Sequence, residues 1–128
     1  MAKKLLQIIE VGYRATIEEQ DDTVVWLTHA MRGAGEEADV LLRGNAVCYA
    51  VRGQDSSGLA FGQRRQTHPP RLADDLSKLI EKGAGVYIVK DDLAERGIES
   101  SDLIEGIQPV PKGGLAKLLD AYERVWHW

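Results

Sequence analysis

Short apolar runs recur along this chain, and the stretches between them carry helical spacing. That alternation constrains the fold more than any other feature. Val86-Tyr-Ile-Val89 puts apolar side chains at consecutive positions, so a strand built from it must be covered on both faces. Leu5–Ile9 reads as a first strand that closes at Gly12, Asp39–Leu42 as a second and Val86–Val89 as a third. Gly106–Val110 is a weaker fourth, and Pro109 suits the end or edge of a sheet better than its centre. Arg124–Trp128 is a terminal strand.

The intervals predict helices. Glu18–Gly33 presents Val24, Leu27, Thr28 and Met31 on one face, with Trp26 turned away from it. Asn45 is a candidate cap for a second helix with Ala46, Val47, Ala50 and Val51 inward. After Pro70, Leu72, Leu76, Leu79 and Ile80 form a stripe that ends at Gly83. Asp92–Arg96 is a short helix stopped by Gly97, Ser101–Glu105 is a further turn, and Gly114–Tyr122 is the last helix. Right-handed crossovers between such strands leave few topologies. The expectation is a three-layer α/β/α, Rossmann-like domain with a mostly parallel sheet of about five strands. A chain of 128 residues fits one domain, 1–128. The segment 53–70 holds Gly53, Gly58, Gly62, Pro69 and Pro70 without periodicity. It is expected to be a long, mobile loop.

Composition narrows the function classes. The net charge of −4 gives no basic field for phosphate backbones, so nucleic acid is not an expected partner. No apolar run approaches the roughly eighteen residues of a membrane span. Met1–Glu10 lacks the long apolar core and cleavage site of a signal peptide, so a cytoplasmic location is the default. With 1 cysteine, Cys48, an intrachain disulfide and a cysteine-rich metal site are excluded. His29, His68 and His127 lack the spacing of a paired helical metal site. The glycines match no dinucleotide or P-loop fingerprint. Neither metal nor cofactor is expected.

Several motifs together resemble the DsrE/DsrF/DsrH-like sulfur-relay family. These are Val86-Tyr-Ile-Val89, then Arg96-Gly97-Ile98, then Leu103-Ile104-x-Gly106-Ile107. Ala38-Asp-Val-Leu-Leu-x-Gly-Asn-Ala-Val47 and the terminal helix from Leu115 to Trp126 carry the likeness over nearly the whole chain. The resemblance implies the same parallel sheet and a homo-oligomer: dimer, trimer or hexamer. It also implies a role in passing sulfane sulfur as a cysteine persulfide, with a sulfur-relay protein as partner. In sulfur-carrying members the reactive cysteine ends the strand before Arg-Gly-Ile. Here that segment is Val89-Lys90-Asp91-Asp92. A carboxylate cannot carry sulfane sulfur, because the exchange requires a thiolate.

The candidate site therefore rests on strand ends. In open parallel sheets, ligands collect outside the carboxyl ends of the strands. Lys90 is placed to meet a small anion there, and Asp92 to cap the short helix, with a solvated strand end as the plain alternative. Tyr13 and Arg14 follow the first strand and Asn45 the second, so they share that crevice. Arg64, Arg65, His68 and Arg71 form a basic cluster in or beside the long loop. Cys48 falls early in the second helix between Val47 and Tyr49. A buried, inert thiol is the expected state there, and the competing reading is a relocated sulfur carrier. Trp26, Trp126 and Trp128 lie off the expected core face and suggest a contact surface. The expected function is a non-catalytic or accessory oligomeric binding protein connected with sulfur metabolism. The alternative is a sulfurtransferase that carries persulfide sulfur on Cys48.

Overall fold

A computed structural model describes residues 4–13, 22–54 and 58–128. Five strands form one sheet: β1 (Leu5–Ile9), β2 (Ala38–Leu42), β5 (Val86–Val89), β6 (Gln108–Val110) and β7 (Arg124–His127). They lie in the order β6-β5-β2-β1-β7, and every neighbouring pair is parallel. The expected three-layer α/β/α architecture is present. Residues of β1 and β2 run in register from Leu5 opposite Ala38 to Ile9 opposite Leu42.

Sheet order explains the layers. The path from β1 through β2 and β5 to β6 always steps in one direction. Right-handed crossovers therefore put its connections on one face. That face carries α1 (Thr23–Gly33), the 3-10 helix Gly44–Ala50, α2 (Leu72–Glu81) and α3 (Lys90–Glu95). Their apolar side chains pack with Ile9, Val40, Leu42, Val86 and Ile88. The step from β6 back to β7 reverses direction, so α4 (Leu115–Asp120) lands on the opposite face. There Leu115, Leu118, Leu119 and Tyr122 cover Leu6, Ile8, Leu41 and Val89.

Local chemistry sets the boundaries. Asp22, fully buried, caps α1 by accepting from the Val24 and Val25 amides at 2.9 and 3.2 Å. The observed helix thus starts at Thr23; positions 18–21 of the expected helix lie outside the described residues. Its buried face is Val24, Val25 and Thr28, and Trp26 is 61% exposed. α2 buries Leu76 and Leu79, as its stripe requires. The second predicted helix is a 3-10 helix, and its Ala46, Val47, Tyr49 and Ala50 are buried. Segment 53–70 is not structureless: β3 (Ala60–Phe61) and β4 (Arg64–Arg65) form an antiparallel hairpin across Gly62, whose φ is +63°. β6 is an edge strand, where Pro109 is tolerated.

Two networks tie the elements together. Tyr49 donates to buried Asp22 at 2.5 Å, joining the 3-10 helix to the start of α1. Asp39 accepts from Arg32 at 2.6 Å, from the Gly85 amide at 2.8 Å and from the Tyr122 hydroxyl at 2.5 Å. Burial, together with that carboxylate, holds the Tyr122 phenol far above its ordinary value. Gln7 is fully buried mid-sheet, where it accepts from the Trp128 indole at 2.7 Å.

Candidate functional site

The carboxyl ends of β1, β2 and β5 meet at one rim. Chain closure there is tight. A Cβ on Gly12 would stand 3.1 Å from the Asn45 carbonyl oxygen. Gly44 has φ +56°, and a Cβ on it would meet Glu10 at 3.2 Å. These glycines let the turn after β1 lie against the turn after β2.

Along this rim the carboxylates act as structural acceptors. Asp92 does not cap α3. That helix begins at Lys90, which places Asp92 inside its first turn. Its carboxylate instead accepts from the Gly44 amide at 2.8 Å, fastening α3 to the start of the 3-10 helix. Asn45 likewise makes no cap, because Arg43 occupies the cap position without a side-chain bond. Asn45 accepts from the Arg96 guanidinium at 2.9 and 3.2 Å, and Arg96 also donates to the Asp92 carbonyl at 3.0 Å. Arg96 is thus the rim residue that the site reading missed. It stood in the Arg-Gly-Ile motif, but nothing in sequence spacing joins it to Asn45.

The connection leaving β5 lies on the α1 face, whereas the one leaving β6 crosses to the α4 face. That divergence is the topological switch point, where ligands of open parallel sheets bind. Asp91 stands there and accepts from the Lys112 amide at 2.8 Å, linking α3 to the segment after β6. Lys90 is exposed beside it. Further along, the Glu10 carboxylate lies 3.3 Å from the Arg43 guanidinium, an ion pair without a hydrogen bond, and 3.2 Å from the His127 ring.

Tyr13 stands on the other side of the 3-10 helix. It is the one positive-φ non-glycine residue among the described residues, at +60°, and its ring packs edge-on against Tyr49 at 5.4 Å. Its hydroxyl donates to Gln54 at 2.9 Å, and Gln54 donates to the Cys48 carbonyl at 2.6 Å. Burial of the hydroxyl and the adjoining Cys48 thiol raise the Tyr13 phenol above its ordinary value. Cys48 is half-buried against the core rather than fully enclosed. Rim geometry thus groups Asn45, Asp92 and Arg96, and sets Tyr13 with Cys48; Lys90 opens α3 two positions before Asp92. Arg14 lies outside the described residues.

Other sequence candidates lie elsewhere. Arg64 and Arg65 are exposed on the hairpin, and Arg71 sits 4.0 Å from Asp74. His29 contacts the Asp75 carbonyl at 2.8 Å in a groove between α1 and α2 that Trp26 also lines. Among the described residues there is no group of His, Cys, Asp and Glu suited to a metal ion. None of the described helices is long and apolar enough to cross a membrane.

No protein-family profile matches the chain, and no curated protein does. Solved structures do. The ychN protein of E. coli superimposes with a TM-score of 0.75 at 18% identity, over 98% of this chain and 99% of its own. A protein of unknown function from Methanobacterium thermoautotrophicum, MTH1491, gives 0.62 at 16% identity, covering 97% and 98%. Another from Bacteroides thetaiotaomicron, BT1422, gives 0.64 at 14% identity, covering 98% and 95%. These likenesses establish the fold over the full chain.

Proposed function

We propose that this chain is a DsrE-like protein that has lost the strand-end thiol and serves sulfur metabolism as an oligomeric binding protein. The observation that carries the reading is the use made of Asp91 and Asp92. They occupy the strand end where relatives of that kind keep a sulfur carrier, and both are hydrogen-bonded to backbone amides of neighbouring segments. Such carboxylates stabilise the rim and supply no sulfur nucleophile. Exposed Lys90 leaves positive charge at the start of α3, suited to a small sulfur oxyanion or to an acidic segment of a relay partner, whereas Arg96 is paired with Glu95 at 3.7 Å and belongs to the brace.

One observation favours a second reading, a sulfurtransferase. Cys48 is half-buried and its thiol adjoins the Tyr13 hydroxyl near the rim. In that reaction the Cys48 thiolate attacks the outer sulfur of a donor persulfide. The donor S–S bond breaks, the donor leaves as a thiolate, and a Cys48 persulfide forms.

Calorimetric titration with thiosulfate separates the readings. A binding rim predicts that Lys90→Ala weakens thiosulfate binding by roughly tenfold or more while Cys48→Ser leaves it unchanged. The opposite pattern, loss with Cys48→Ser alone, supports the carrier.

A further inference from the structure

The two edges of the main sheet differ. On β6, Pro109 interrupts the row of main-chain donors, which is a common guard against pairing with another chain. β7 has no such guard. Among the described residues it is hydrogen-bonded to β1 alone, and each of its residues is exposed. Val125 is 40% exposed, Trp126 39% and Trp128 40%.

The direction of its free groups follows from the ladder. The amides of Glu123 and Arg124 both donate to the Lys4 carbonyl just before β1, the Trp128 amide donates to Ile8, and the Trp128 carbonyl accepts from Glu10 just after β1. In a parallel pair, alternate residues make these bonds. Val125 and His127 therefore turn their N–H and C=O groups outward, away from the sheet.

We propose that β7 pairs antiparallel with β7 of a second copy of this chain, about a two-fold axis through Val125 and perpendicular to the sheet. This rests on the reading of the protein as a homo-oligomer and names the surface that forms it. The register is fixed by self-complementarity. With Val125 opposite Val125 of the other copy, their outward amides and carbonyls exchange bonds. Glu123 then faces His127, and Arg124 faces the Trp126 ring on the α1 side of the sheet, a favourable cation–aromatic pair. Moving the axis to Trp126 sets Val125 against His127 and leaves Glu123 beyond the paired region. The centred register thus joins the Val125 backbones and sets Glu123 beside His127, while the Glu123 amide keeps its bond to the Lys4 carbonyl. The resulting interface is isologous, so subunit numbers are even.

Sedimentation of the full chain tests this with three variants. Wild type is expected as a dimer or a multiple of it. Val125→Pro removes an outward amide that β1 does not use. It is expected to raise the dissociation constant by roughly tenfold or more with an unchanged circular dichroism spectrum. Glu123→Lys is expected to weaken assembly in the same direction. On a Cys48→Ser background, Val125→Cys is expected to cross-link two copies with a short bifunctional thiol reagent, whereas Lys117→Cys on α4 does not. If Val125→Pro unfolds the chain, Glu123→Lys and the cross-link decide. A monomeric wild type overturns both the oligomer reading and this interface. An odd-numbered assembly, or one indifferent to Glu123→Lys and uncross-linked at position 125, overturns the interface alone.

Discussion

Asp22 shows how much one side chain can hold. It accepts from two amides at the start of α1 and from the Tyr49 hydroxyl, all without solvent exposure. A hydrogen bond to a charged acceptor is worth more than a neutral one, and a buried acceptor deprived of its donor is costly. Tyr49→Phe keeps the ring that packs against Tyr13 but removes the donor. Urea denaturation is expected to show a loss of about 1–3 kcal/mol, against a near-neutral effect if the hydroxyl contributes little. At this scale sequence was least informative. Asp22 was hidden inside a predicted helix, and the bond from Asp92 to Gly44 spans 48 positions. Local rules assigned Asp92 and Asn45 to helix caps because caps are the nearest use for such residues. Tertiary partners claimed them instead.

Elements were legible where burial dictated their pattern. β1, β2 and β5 are covered on both faces, so their apolar runs stood out with nearly correct ends. The hairpin of β3 and β4 was missed because its strands have two residues each and all four are exposed. Such strands carry no alternation to read. The 3-10 form of 44–50 was also invisible, since apolar spacing over seven residues fits either helix. α4 has no fully buried residue, and Tyr122, just beyond its end, anchors it through Asp39 of β2. The phenol there holds its proton more tightly than in the unfolded chain, where it ionises near pH 10. Its contribution to stability is therefore complete below that pH and declines as pH rises beyond it. Thermal melts from pH 8 upward are expected to show a fall above about pH 10, and a shallower one in Tyr122→Phe. Equal slopes in the two proteins would remove Tyr122 from the explanation.

Across the whole molecule, sheet order decides where function can sit. The reversal from β6 to β7 puts α4 on the face opposite α1 and opens the switch point beside the ends of β5 and β6. Lys90, Asp91 and Asp92 occupy that place because the chain must turn there, and the turn is braced by backbone-to-carboxylate bonds. Parallel order could be read in sequence from continuous apolar strands, as could the position of the rim. The division of labour along it could not, because it depends on contacts between segments far apart in the chain. The central claim is that this braced rim carries no sulfur itself. Intact-mass analysis after incubation of the folded protein with a persulfide donor tests it most directly. The account predicts an unmodified mass for wild type and for Cys48→Ser alike. A sulfur adduct on wild type that maps to Cys48 and vanishes in Cys48→Ser would contradict it.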